Sequence, residues 1–274
     1  MELNKKVDQL LQDLKSGKFN KVISDGEKLL KKYQDKGYLF NICGLAYQRL
    51  KQIETSIVYF KKAINLEPQN LGHKNNLANS FISLNQFKEA EDIFKKILSI
   101  DPENTPALVN YARLKNIVLD FKNSINLYLK ALKFIKNDLG IWLNLGSVYQ
   151  SIGEFSKAKE HALKALELSP SGPDRERYQT GGLWLINIGL KDYDEALKNI
   201  NYMLEKNPGF TGAYGFLASI TALKGDIENA KKDLKRYQEL RPKVKTLIDY
   251  EKVAPTIIKE IILEGLEKAG MPKS

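Results

Sequence analysis

The sequence predicts an all-α fold, a solenoid of about seven helix-turn-helix repeats followed by a C-terminal capping helix. Three observations carry this. With Gly44 taken as position 8 of a unit, Ala78, Ala112 and Gly146 follow at intervals of 34 residues. Small residues recur at position 20 as Ser56, Ala90, Ser124 and Ala158, then Ala196 and Ala230. Proline recurs at position 32 as Pro68, Pro102 and Pro170, with Pro208 and Pro242 later. Self-similarity at such a period marks supersecondary units that bury a core only by packing on their neighbours.

Each element has a physical reason. Small residues at positions 8 and 20 let two antiparallel helix axes approach closely. Large residues at positions 4, 11 and 24 fill the space beside that contact, as in Phe40, Tyr47 and Phe60, in Trp142 and Tyr149, and in Phe94 and Tyr128. Position 27 adds Ala63, Ile97, Ala131 and Ala165. Proline stops the second helix because it lacks an N–H and clashes with the preceding turn. Asn70, Asn104 and Asp138 at position 34 suit the N-cap of the next first helix.

In chain order, residues 1–36 form a degenerate first repeat, with an apolar stripe at Leu10, Leu11 and Leu14, a turn at Gly17 and Phe19, and Val22 at position 20. Residues 37–170 hold four regular repeats, the fourth with Lys136 where the others have proline. Residues 171–242 hold two further repeats in shifted register. Counting back from Ala196 would put Trp184 at position 8, too large for a close helix contact. The expectation is instead that Gly182 matches Gly146 and Gly189 matches Gly153, with two extra residues before the repeat and two in its inner turn, LKDYDEA. The polar linker SGPDRER predicts a change of pitch or a hinge there. Residues 243–274 predict a capping helix from about Pro255 to Ala269 with Ile257, Ile258, Ile261, Ile262 and Leu266 on one face.

The pattern resembles the tetratricopeptide repeat of bacterial type: an aromatic at 4, Leu-Gly or Leu-Ala at 7–8, Tyr or Phe at 11, Ala at 20, Phe or Tyr at 24, Ala at 27 and Pro at 32. That resemblance implies a right-handed superhelix whose first helices line a concave groove. The C-terminal stretches RYQTGGLWL, YDEAL and GLEKAGMP are similar to repeat modules attached to class III adenylate or guanylate cyclases. GLAYQRL and ALVNYARLK are similar to repeats that precede sulfotransferase and glycosyltransferase domains. None of these catalytic domains is among the motifs of this sequence.

Composition narrows the class. Hydrophobic content of 43% argues against disorder. The single cysteine, Cys43, excludes an intramolecular disulfide and falls at apolar position 7. MELNKKVDQLLQDL has no apolar leader core. The run Gly181–Leu190 is far shorter than the ~20 residues that span a bilayer. A cytoplasmic protein without membrane contact is expected. The net charge of +10 is mostly lysine, read as solvated outer faces. No GxSxG, HExxH, CxxC pair or GxxxxGK[ST] occurs, so the expectation is a non-enzyme without cofactor or metal. His73 and His161 are expected to face solvent.

The resemblance implies that a partner meets first-helix positions 2, 5, 6, 9 and 12. Position 6 reads Asn76, Asn110 and Asn144, each 34 residues from the last. Position 9 adds Asn79 and Arg113. A carboxamide offers one acceptor and two donors, so such a row could pair with the peptide groups of an extended chain. It resembles the asparagine ladder of the O-linked N-acetylglucosamine transferase repeats. The alternative is that these asparagines are solvated or bond their own backbone. The family's carboxylate clamp would need cations where this chain has Asn75, Asn79, Asn110, Gly140 and Asn144, so a chaperone tail is not the expected ligand. Lys28, Lys62, Lys96, Lys130, Lys164 and Arg236 at position 26 form an outer row without the aromatic residues on which single strands stack. The reading is a scaffold for a protein or peptide partner. A recruiting or sensory module for a separately encoded cyclase, sulfotransferase or glycosyltransferase is the alternative, and a basic nucleic-acid-binding solenoid the second. Nothing in the sequence sets the oligomeric state.

Overall fold

A computed structural model of the chain describes residues 2–169, 182–253 and 256–274. Among them are sixteen α-helices, one 3-10 turn and no strand. The chain divides into two compact units, Met1–Ile135 and Lys136–Ser274. The division falls at Lys136, the residue that replaces the repeat proline.

The first unit is four helix pairs: α1 (Glu2–Lys15) with α2 (Phe19–Lys32), α3 (Gly37–Arg49) with α4 (Ile53–Leu66), α5 (Leu71–Ser83) with α6 (Phe87–Ile100), and α7 (Thr105–Ile117) with α8 (Phe121–Phe134). The second unit has α9 (Leu139–Ser151) with α10 (Phe155–Leu168), α11 (Leu183–Gly189) with α12 (Tyr193–Lys206), and α13 (Ala213–Leu223) with α14 (Ile227–Leu240). It ends with α15 (Leu247–Glu251), a 3-10 turn at Thr256–Ile258 and α16 (Lys259–Lys268).

The repeat residues sit where their sizes require. Ala78, Ala112, Ala90, Ala158, Ala196 and Ala230 have no exposed surface, nor do Phe60 and Phe94. A methyl group added at Gly44 would stand 2.7 Å from the Phe60 ring, so glycine there admits the aromatic residue. Asn70, Asn104 and Asp138 cap α5, α7 and α9 through their side chains. Asp120, Asp192 and Asp226 do the same for second helices α8, α12 and α14. The second helix of the proline-less repeat still ends at Phe134, and the carbonyl of Lys136 in the following turn accepts the Trp142 indole N–H at 2.7 Å.

Every inner turn carries one residue with positive φ, two residues before the second helix: Gly17, Lys51, Asn85, Leu119, Gly153, Lys191 and Gly225. This corrects the expected register of the sixth repeat. Lys191, not Gly189, is the counterpart of Gly153, so the inner turn LKDYDEA has no inserted residues. Trp184 therefore does stand at position 8, buried and packed on Phe216 at 4.5 Å between ring centroids. Gly189 is small for another reason: a Cβ there would collide with the Phe155 ring. The linker SGPDRER, Pro170 and Pro255 lie outside the described residues.

The C-terminal segment is more broken than one helix. A capping box between Thr246 and Asp249 starts α15, and the Leu247 N–H donates to the Pro272 carbonyl at 2.8 Å. Ile258, Ile262 and Leu266 are buried, while Ile257 on the 3-10 turn is 38% exposed. Helix α16 lies directly on α13. The Ser219 hydroxyl donates to the Ile262 carbonyl at 3.0 Å, and Gly265 leaves no room for a Cβ against the Ser219 backbone.

Candidate functional site: a row of carboxamides on the first helices

In the first unit, helices α3, α5 and α7 place the predicted polar positions side by side. Asn76 Nδ2 donates to Asn41 Oδ1 at 2.9 Å, and Asn110 Nδ2 donates to Asn75 Oδ1 at 3.1 Å. Both bonds link residues 35 apart, position 6 of one repeat to position 5 of the repeat before. Arg113 Nη2 donates to Asn79 Oδ1 at 2.9 Å, joining the two predicted position-9 residues across 34 residues. The side chains thus bond to each other rather than to their own backbone. Asn75 is buried, Asn41, Asn76, Asn79 and Asn110 are half-buried, and Arg113 is exposed.

Neither Asn41 nor Asn75, both at position 5, is among the predicted site residues. The signal was the 35-residue offset from Asn41 to Asn76, repeated from Asn75 to Asn110. The bonds use one N–H of Asn76 and of Asn110. Each side chain keeps its Oδ1 and its second N–H.

Asn144 belongs to the second unit, on α9, and is exposed. It borders a cleft of about 350 Å³ whose described lining includes Ser147, Gln150, Leu166, Leu183 and Ile186. That lining is uncharged, so the cleft suits a neutral amide or an aliphatic side chain.

Three carboxylates of the first unit are structural bridges. Glu27 accepts from the hydroxyls of Tyr47 at 2.6 Å and Tyr59 at 2.7 Å, and these bonds hold its pKa down. Glu67 accepts from the Tyr38 N–H at 2.9 Å and meets His73 Nε2 at 2.8 Å, tying the starts of α3 and α5 together. Burial alone would raise the Glu91 pKa. Hydrogen bonds from Lys95, Tyr111 and Lys115 overcome that and lower it to about 2.

Both histidines depart from expectation. His73 is 3% exposed and His161 is 8% exposed. His73 is drawn in by Glu67. His161 is enclosed by Trp142 and Tyr149, with ring centroids at 5.4 and 5.1 Å, and its Nδ1 has no partner. Cys43 is fully buried, and burial pushes its pKa up to about 12. In the outer row, Lys28, Lys164 and Arg236 pair with Asp25, Glu167 and Glu239 on their own helices, and Lys62 lies over the Phe40 ring. No group of three or more His, Cys, Asp or Glu suited to a metal occurs among the described residues. No helix among them is long and apolar enough to cross a membrane.

With this geometry established, comparison with known proteins is informative. The tetratricopeptide repeat family profile matches residues 39–70, 74–104, 139–171 and 211–244. The human protein O-mannosyl-transferase TMTC3 is 28% identical over 236 residues, covering 78% of this chain and 25% of the relative. The chain thus spans about a quarter of that relative's length. A chain of the APC/C hetero-tetramer Cut9–Hcn1 superposes with a TM-score of 0.69 at 16% identity, over 94% of this chain and 48% of the other. The type IV pilus biogenesis factor PilW gives 0.66 at 17% identity, over 76% and 94%. PilF of Pseudomonas aeruginosa gives 0.63 at 18% identity, over 79% and 96%. These likenesses are of fold.

Proposed function

Because the chain is a tetratricopeptide-repeat protein, we propose that it is a non-catalytic protein-interaction scaffold that takes an extended peptide or a partner helix along its first helices. One observation carries the peptide reading: the cross-repeat bonds Asn76–Asn41 and Asn110–Asn75. A carboxamide whose one N–H is held by a neighbour has a fixed plane. Its Oδ1 and remaining N–H then stand pre-oriented for a peptide group, and less entropy is lost on binding. Each such bond contributes about 0.5–1.5 kcal/mol, so affinity is modest and sequence selectivity low. Arg113, exposed beside Asn79, adds a cation for an acidic residue of the partner. Asn144, exposed on α9 of the second unit, would be a polar contact of that unit by itself.

The test is binding of a library of extended peptides to the chain and to the Asn76→Ala/Asn110→Ala/Asn144→Ala variant, with folding of the variant checked by circular dichroism. Ligands that bind the parent and not the folded variant support the scaffold. Equal binding by both removes the carboxamide row as the site.

The 28% match to the transferase favours a second reading, a substrate-recruiting module acting with a separately encoded glycosyltransferase. An adjacent catalytic reading frame whose product co-purifies with this chain would support it. Co-purification unaffected by loss of the carboxamide row would separate it from the first reading. The nucleic-acid alternative has less support, since half of the outer cations already have carboxylate partners on their own helices. It predicts affinity falling steeply with salt.

A further inference from the structure

The second unit carries another cleft, of about 340 Å³, among α10, α11 and α12. Leu163, Leu166 and Leu183 form its apolar part, and Asn187 and Asn199 its neutral polar part. The cations of its described lining are matched: Lys159 pairs with Asp192 at 3.1 Å, and Lys198 with Glu195 at 3.2 Å. A charged ligand would have to displace one of these pairs.

Asn187 is the anomaly. It is 2% exposed, and its Oδ1 has no hydrogen-bond partner. Its Nδ2 reaches Asn199 Oδ1 only at the long distance of 3.4 Å. A buried carbonyl without a donor costs about 1–3 kcal/mol, so one retained in the fold calls for an occupant that supplies the donor. Leucine would fill the same volume without that cost.

We propose that this cleft is a second ligand site that takes a neutral amide on an aliphatic stem, such as a peptide group beside a leucine side chain of a partner. Asn187 Oδ1 accepts the ligand N–H, Asn199 Nδ2 donates to the ligand carbonyl, and the three leucines cover the stem. The two asparagines present an acceptor and a donor together, which a peptide group complements and a carboxylate or an ammonium does not. The site shares no residue with the first-unit carboxamide row, so either reading can fail alone.

The test uses the full 15N-labelled chain and N-acetyl-leucine amide as probe, following the side-chain amide resonances of Asn187 and Asn199. The expected result is a saturable shift of both in the parent, with the affinity read from Asn199 weakened at least about tenfold in Asn187→Leu. The unliganded Asn187→Leu chain should also melt no lower than the parent, because an unsatisfied carbonyl has been replaced by an apolar group. Asn199→Ala, which removes the ligand-facing donor at a half-buried position, should weaken the probe as well, followed at Asn187. The absence of a saturable shift in the parent, with Asn187 satisfied by water only, overturns the proposal. So does a shift that is undiminished in the folded variants, or a lower melting temperature for Asn187→Leu, which would mark Asn187 as structural.

Discussion

Asn110 Nδ2 donates to Asn75 Oδ1 at 3.1 Å, although the residues lie 35 positions apart on different repeats. Asn75 is 7% exposed. Replacing Asn110 by alanine therefore leaves a buried carbonyl without its donor. Asn110→Ala should destabilise the first unit by about 1–3 kcal/mol. The matching change Asn76→Ala should cost less, about 0.5–1.5 kcal/mol, since Asn41 is half-buried and can turn to water. Urea unfolding of the two variants, compared with a double-mutant cycle at Asn75 and Asn110, checks the order.

Three glycines rank by what surrounds them. A Cβ at Gly265 strikes the Ser219 backbone, one at Gly44 meets the buried Phe60 ring at 2.7 Å, and one at Gly146 comes no nearer than the Ala158 carbonyl at 3.4 Å. Gly265→Ala should push α16 off α13 at a cost of about 1–3 kcal/mol, and Gly146→Ala should be close to neutral because alanine's better helix propensity offsets the tight contact. Ala158→Leu, at the crossing of α9 and α10, should cost about 1–3 kcal/mol. Thermal melts rank them. Hydrogen exchange in α16 identifies the Gly265 effect, which should appear there first.

Acid should unfold the first unit through Glu91. Its folded pKa is about 2 against an ordinary 4.5. A depressed carboxylate contributes stability that is present above the unfolded value and lost as pH falls through the folded one. The loss should therefore run from about pH 4.5 down to about 2. Glu91→Gln should flatten that part of the stability profile and lower stability at neutral pH. A profile unchanged by the substitution would show that the bonds to Tyr111 and Lys115 contribute little.

The second unit should respond at higher pH, through His161. Burial lowers its pKa below 6.5; nearby Lys157 acts the same way and Glu160 opposes. The fold holds the imidazole neutral. Its contribution is complete above about pH 6.5 and declines as pH falls towards the folded value, because the unfolded chain takes the proton first. His161→Phe keeps the aromatic packing with Trp142 and Tyr149. It should remove the slope below about pH 6.5 from the denaturation midpoint of the second unit while leaving the first unit unchanged.

Much of the fold was legible because its signals are local and repeated. Position 20 is small in each of the six repeats that carry Ser56, Ala90, Ser124, Ala158, Ala196 and Ala230, and every one of these side chains is buried at 0%. The N-caps Asn70, Asn104 and Asp138 act within three residues of themselves, which a sequence records directly. The sixth repeat was misread because two glycines were matched to glycines. Gly189 is small to admit the Phe155 ring, whereas the positive-φ turn that glycine normally marks is made there by Lys191.

What the sequence by itself determined was the helix pairs, their ends and the apolar seam. Those follow from a 34-residue period and short-range capping. Tertiary structure alone decided the chemistry of the polar positions. A period aligns Asn76 with Asn110 but does not say that each bonds to the residue at position 5 of the preceding repeat. Nor does it say that Glu67 draws His73 into the core, or that Trp142 and Tyr149 enclose His161. These outcomes depend on angstrom-scale separations between side chains on different helices. Those separations are set by how closely the small residues let the helices pack, a quantity that exists only once the repeats are stacked.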